Sequence, residues 1–166
     1  MAFVIRQMQA GDAADYRELR LEALKKCPEA FSSSIAEDDG LPLSRYESAI
    51  VTNFIIGGFR NGNLEGVIAL SRPNYVKVQH RASITGIYVR EAVRGTGLAD
   101  DLVKAAKKLS ADGVEVLQFR IPKTIEKAVA LCKRSGFEEV GVEPHALRLD
   151  DGRYIDQVVM SCALGR

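Results

Sequence analysis

The sequence predicts an α/β protein built on a mixed sheet of about seven strands with helices on both faces. Three observations carry that prediction. Two apolar runs, Phe54 to Arg60 and Leu64 to Leu70, are joined by Asn61-Gly62-Asn63, which signals an antiparallel hairpin. The strand-like Ala82 to Val89 leads through a helix-like stretch to a second strand-like run, Val114 to Ile121, and such a β-α-β unit requires a parallel pair. The 166 residues, 46% hydrophobic, suit one domain with one core, so a single unit over 1–166 is expected.

Taken in order, Phe3 to Met8 alternates as a first strand, and Gly11-Asp12 turns the chain with Asp12 in the N-cap role. Tyr16, Leu19, Ala23 and Leu24 form the apolar stripe of a first helix, with Arg17, Arg20 and Glu22 off the stripe and Pro28 at its end. Ala30 to Ile35 and Glu37 to Gly40 show no period and read as loop. Ser44-Arg45-Tyr46-Glu47 matches a capping box, serine as N-cap and glutamate at N3, opening a short helix to about Val51. The hairpin follows, then a looser segment with Pro73, then the strand Ala82 to Val89. Leu98, Leu102, Ala106 and Leu109 are the apolar face of the next helix, closed by Asp112-Gly113. After the strand Val114 to Ile121, Pro122-Lys123-Thr124 introduces a helix from Ile125 to Arg134 that ends at Ser135-Gly136. Phe137 to Val142 and Gln157 to Ala163 are the last strands, with a turn at Asp150 to Arg153. The order is β-α-α-β-β-β-α-β-α-β-β, without an internal repeat or a long linker.

Charge narrows the partners. Lys and Arg number 23 against 22 Asp and Glu, a net charge of +1, which provides no overall field for nucleic acid or an anionic membrane. No apolar run approaches the roughly 20 residues of a membrane helix. Cys27, Cys132 and Cys162 are an odd set without CxxC spacing, and the N-terminal residues lack the apolar core of a signal peptide, so a reduced, cytoplasmic protein is expected. His80 and His145 stand apart from each other and from the cysteines, so no metal site is expected. A small-molecule or peptide substrate fits this balance, and a homodimer stays open.

The stretch Val93-Arg94-Gly95-Thr96-Gly97-Leu98-Ala99-Asp100 carries the chemistry. It lies between strand and helix, where free amides and the helix dipole attract an anion; two glycines let a bulky anion approach, and Arg94 adds full charge. A P-loop is excluded because neither glycine precedes a lysine at the required spacing. A dinucleotide fingerprint has Asp100 where its third glycine belongs.

The neighbouring residues make the pattern more specific. Arg94-x-x-Gly97-x-Ala99 after Ile87-Tyr88-Val89 resembles the R/Q-x-x-G-x-G/A segment of the GNAT family of N-acetyltransferases. The resemblance extends to Ala128-x-x-Leu131 with Gly136-Phe137, to Asp151-Gly152 with Asp156 and Met160, and to Leu19 through Phe31. It implies a central parallel pair that splays apart, and acetyl-CoA as co-substrate. It further implies that Arg94 and the amides of Gly95, Thr96, Gly97, Leu98, Ala99 and Asp100 hold the pyrophosphate. The backbone of Ile87, Tyr88 and Val89 would hold the pantetheine arm, with the Val89 amide polarising the thioester carbonyl. Gly86, inside the strand, marks a bulge or a close approach. Asp100 and Asp101 should turn away from the phosphates.

The chain also departs from the family. The helix tyrosine that serves as acid is replaced by Cys132, the asparagine before it by Ile125, the glutamate of the motif strand by Ser83, and a proline by Glu91. Cys132 reads as a small buried hydrophobe. Glu22, Glu37, Asp38 and Asp39 border the acceptor side without any one standing out as base, so no catalytic side chain is assigned. The expected activity is acetyl transfer to a primary amine within a ternary complex, with the loops at Phe31 to Ser34 and His145 choosing the acceptor. A CoA-binding module that has lost catalysis is the alternative.

Overall fold

The computed structural model describes residues 2–165. Strands β1 (Val4–Gln7), β2 (Phe54–Arg60), β3 (Asn63–Ser71), β4 (Arg81–Val89), β5 (Val116–Pro122), β6 (Glu138–Arg148) and β7 (Tyr154–Ala163) form one sheet in the order β1-β2-β3-β4-β5-β7-β6. Helices α1 (Ala13–Lys26), α2 (Ile35–Asp39), α3 (Leu43–Thr52), α4 (Leu98–Lys107) and α5 (Glu126–Arg134) cover its faces. Every neighbouring pair is antiparallel except β4 and β5. The expected mixed sheet with one parallel pair is therefore observed.

Two apolar clusters sandwich the sheet. One joins Leu98, Leu102, Val103 and Ala106 of α4 to Leu131 and Cys132 of α5 and to sheet residues such as Ile68, Leu117 and Met160. The other joins Tyr16, Leu19, Ala23 and Leu24 of α1 to Tyr46 and Ile50 of α3, to Phe31, and to Ile55, Val67 and Tyr88 of the sheet. The stripe read from α1 is thus its buried face. Asn61 and Gly62, with φ of 52° and 80°, turn the β2–β3 hairpin in two residues.

Several boundaries differ from the sequence reading. Ser34 rather than Ser44 makes the capping box: the Glu37 amide donates to the Ser34 hydroxyl, and the Ser34 amide to the Glu37 carboxylate. The segment read as loop accordingly contains α2, while α3 begins at Leu43 with Pro42 as its N-cap. Asp12 does not cap α1; its carboxylate accepts from the Gln9 amide and from Arg6. The regular part of α4 ends at Lys107, and a 3₁₀ turn carries the chain to Asp112. Strand β6 runs beyond Val142 to Arg148 through a register break between Glu143 and Leu147, where His145 has φ of 51°.

Candidate active site

The parallel pair is short. Only Arg81 to Ile84 of β4 pair with Val116 to Phe119 of β5. Beyond that seam, Gly86 to Val89 pair with β3 alone, and Arg120 to Pro122 with β7 alone. The facing edges separate and leave a wedge lined by backbone, as the resemblance implied.

A bulge re-aims β4 at the same point. Ile84 opposes Leu70 and Gly86 opposes Ala69, so Thr85 is the extra residue, and its hydroxyl donates to the Ala69 carbonyl at 3.2 Å. Ile84 packs into the α4-side cluster, but Tyr88, four residues on, packs toward α1, leaving Ile87 and Val89 on the α4 side. The Tyr88 side chain therefore does not face the wedge. Its phenol donates to Glu22 at 3.0 Å and, chiefly through burial, is pushed up to about 12. A Cβ on Gly86 would lie 3.1 Å from Phe31 Cε1, so the glycine admits that ring against the strand.

The wedge ends at the start of α4. Gly95 and Gly97 have φ of 77° and 88°, a left-handed conformation costly for other residues, and Gly97 is the N-cap. The Asp101 amide is the first to return a bond, to the Gly97 carbonyl at 3.0 Å. None of the amides from Gly95 to Asp100 has a backbone acceptor among the described residues. They form a cradle at the positive end of the helix dipole. Leu98 fixes its position: a Cβ on Gly58 would lie 2.5 Å, and one on Gly66 3.0 Å, from its methyl groups, so these sheet glycines let α4 dock closely.

The charged residues of the motif are already engaged. Arg94 Nε donates to the Val89 carbonyl at 3.1 Å, and its guanidinium lies 5.7 Å from the centroid of the Tyr88 ring, tying the cradle to β4. Asp100 accepts from Arg134 Nε and Nη2 at 2.7 and 3.0 Å, which holds its carboxyl below the usual carboxylate range. That bidentate pair draws Asp100 sideways onto α5 and away from the cradle. Asp101 faces a different groove, beside Arg6 and Lys104.

The positions that depart from the family pattern are structural here. Cys132 is fully buried, and burial pushes its thiol up to about 12. Ser83 opposes Gln118 within the paired seam, and Ile125 packs beside the core at the N-cap of α5. Among the described residues no group of three or more His, Cys, Asp and Glu could hold a metal ion, and no helix is long and apolar enough to cross a membrane.

Residues 5–159 match the family model described as an acetyltransferase (GNAT) domain. The chain belongs to the GNAT family. A comparison with curated proteins found no match. Among solved structures, a GNAT-family acetyltransferase from Streptococcus pneumoniae superposes with a TM-score of 0.85 at 21% identity, over 97% of this chain and 99% of that one. A ribosomal-protein-alanine N-acetyltransferase from Brucella melitensis gives 0.85 at 19%, over 97% and 99%. A phosphinothricin acetyltransferase from Sinorhizobium meliloti, in complex with AcCoA, gives 0.81 at 21%, over 99% and 90%. At these identities the neighbours establish the GNAT fold.

On the opposite face of this GNAT sheet, a cavity of about 460 Å³ lies between α1, α2 and α3. Ile55, Ala69 and Thr85, from three adjacent strands, contribute to its floor, and Arg20, Asp38 and Arg45 are its charged lining residues. A smaller hollow shares Tyr16, Arg20 and Ala69 with it and reaches Gly86, Ile87 and Tyr88. Arg20 sits at this junction: its Nε donates to Asp38 at 3.1 Å, its Nη2 to Ser33 Oγ at 2.9 Å, and its guanidinium lies 5.0 Å from the centroid of Phe31.

The four acidic residues singled out from the sequence have different fates. Glu22 is taken up by Tyr88 and Arg90, Glu37 caps α2, Asp39 is exposed, and Asp38 alone lines the cavity. Ser32 and Ser33 also line it, whereas His145 stacks on Tyr154 at 4.6 Å and borders neither hollow. Arg20 and Arg45 were missed as site residues. For Arg20 a signal existed, since it lies four residues after Tyr16 and so beside the buried stripe; Arg45 had none.

Proposed function

We propose that the protein transfers an acetyl group from acetyl-CoA to a primary amine by direct attack within a ternary complex. The carrying observation is the meeting of two features at one end of β4: an unpaired strand edge from Ile87 to Val89, and the open amides from Gly95 to Asp100. An extended amide-bearing arm matches the first, and a pyrophosphate matches the second.

On this reading Gly95 to Asp100 hold the pyrophosphate, joined by Arg94 once its side chain leaves the Val89 carbonyl. The backbone of Ile87 and Val89 aligns the thioester. Attack by the amine places negative charge on the former carbonyl oxygen, and a fixed Val89 N–H donor there stabilises it; loss of one such donor costs about 3–4 kcal/mol in other enzymes. Cys132 does not protonate the departing thiolate. With its thiol at about 12 it is a weaker acid than an ordinary thiol of about 8.5, so solvent supplies that proton.

The acceptor approaches from the α1 side, where the cavity floor reaches Thr85, one residue before Gly86. Asp38 borders the same cavity, but its carboxylate is taken up by Arg20 at 3.1 Å, and a water-relayed transfer suits the geometry better. Positioning and oxyanion stabilisation then supply most of the acceleration.

The test is to titrate the protein with CoA and then incubate it with acetyl-CoA and an amine library, reading product mass. Binding of CoA with acetylated product supports the enzyme. Binding without turnover on any amine supports the non-catalytic module, and absence of CoA binding refutes both.

A further inference from the structure

We infer that the acceptor is a small amine carrying a carboxylate, which Arg45 receives in the cavity between α1, α2 and α3; this rests on the acetyltransferase reading above. The charge balance of the lining carries the inference. Asp38 is paired with Arg20, leaving the inner part of the cavity neutral. Arg45, in the first turn of α3, lines the same cavity and has no ion-pair or side-chain hydrogen-bond partner among the described residues. The lining therefore presents one uncompensated positive charge, on a planar guanidinium suited to a bidentate carboxylate.

The second cation adds direction. Arg20 has Nε and Nη2 committed to Asp38 and Ser33, while Nη1 lies 3.9 Å from where a Cβ on Gly86 would stand. Arg20 therefore anchors the inner end of the cavity beside β4 as one half of a neutral pair, and the exposed Arg45 is the unpaired cation of the lining. A polyamine or a lysine-rich peptide would bring several cations against Arg45. An amine with one carboxylate can place its neutral, nucleophilic form toward β4 and its negative end toward α3. At about 460 Å³ the cavity matches a small-molecule site, and Ser32, Asn53 and Thr85 line it with further hydrogen-bonding groups.

The experiment measures kcat/KM, at fixed saturating acetyl-CoA, for free amino acids, the corresponding amino-acid amides and aliphatic diamines. The expected result is a preference of about tenfold or more for the acid over its amide. Arg45→Gln should remove that preference by raising KM for the acid while leaving KM for acetyl-CoA unchanged; Arg45→Lys should restore part of it. Arg45→Glu should shift selectivity toward the diamines, which a merely structural role of this exposed side chain would not do. Acetylation of amides or diamines as readily as of acids, or a selectivity indifferent to Arg45→Gln and Arg45→Glu, overturns the inference and leaves the acetyltransferase reading standing. Failure to bind CoA overturns that reading and this inference together.

Discussion

Replacing Gly97 by valine separates the cost of backbone strain from the loss of the amide cradle. Gly97 has φ of 88°, and an added Cβ would meet nothing within 4 Å, so the folded chain accommodates the side chain at the cost of conformation alone. That cost is about 1–2 kcal/mol for a residue forced into the left-handed region, against a total stability of about 5–15 kcal/mol, and it corresponds to a fall of about 2–8 °C in Tm. Gly62 is a matched control, with φ of 80° and equally open surroundings, but in the hairpin turn. Gly62→Val and Gly97→Val should lose similar stability. Only Gly97→Val sets an isopropyl group over the cradle, and two displaced amide-to-phosphate bonds at about 1.5–3 kcal/mol each weaken CoA binding about 10²-fold or more. Calorimetric titration with CoA and a thermal melt on both variants measure the two quantities independently. If Gly97→Val binds CoA as tightly as Gly62→Val does, the pyrophosphate does not lie on these amides.

Cys132→Ala should keep kcat within a few-fold at a cost of about 1 kcal/mol in stability, because a small buried group is removed; a loss of about 10² in kcat, the scale of acid catalysis, would restore Cys132 to the chemistry. Gly86→Ala sets a Cβ 3.1 Å from the Phe31 ring and should lower stability by about 1–3 kcal/mol together with kcat, as read by a melt and an initial-rate assay. Because Arg134 holds the Asp100 carboxyl below its ordinary value, their pair contributes above about pH 4 and is lost as the pH falls through the depressed value; wild type and Arg134→Gln should differ in Tm at pH 7, less so in high salt, and the difference should shrink as the pH falls below about 4. Tyr88→Phe should delete from an ultraviolet titration a phenol that ionises only near pH 12, while a component missing near pH 10 would show that Tyr88 is not buried against Glu22.

The strand end and the glycine turn after it were legible because their conformation is set locally. Gly95 and Gly97 define a conformation within a few residues, and the strand and helix around them announce themselves by period, so the turn that opens α4 could be placed from the sequence, while the wedge was implied only by the family resemblance. The cavity between α1, α2 and α3 was not, because it is assembled from far-separated residues. Arg20 meets Asp38 and Ser33 across 18 and 13 positions, and Arg45 joins them only through the packing of α3. Local ambiguity added to this. Ser34-x-x-Glu37 and Ser44-x-x-Glu47 match the same capping pattern, and with Pro42 as N-cap α3 starts at Leu43, which places Ser44 inside the helix. Helix α2, five residues long, is too short to show a helical period, and β6 continued past Pro144 because an edge strand tolerates a residue that cannot donate to the ladder.

The four-position seam between β4 and β5 also bears on how the molecule comes apart. Strands β2 to β4 are laced by longer antiparallel ladders, as are β5 to β7, with the short β1 at the edge of the first block, and little backbone hydrogen bonding crosses between these two blocks. They should behave as separate cooperative units in native-state hydrogen exchange, with the seam amides opening first. An arm laid along Ile87 to Val89 would serve as a keystone between the blocks. Saturating CoA should then slow exchange on both sides of the join and merge the two units into one unfolding transition.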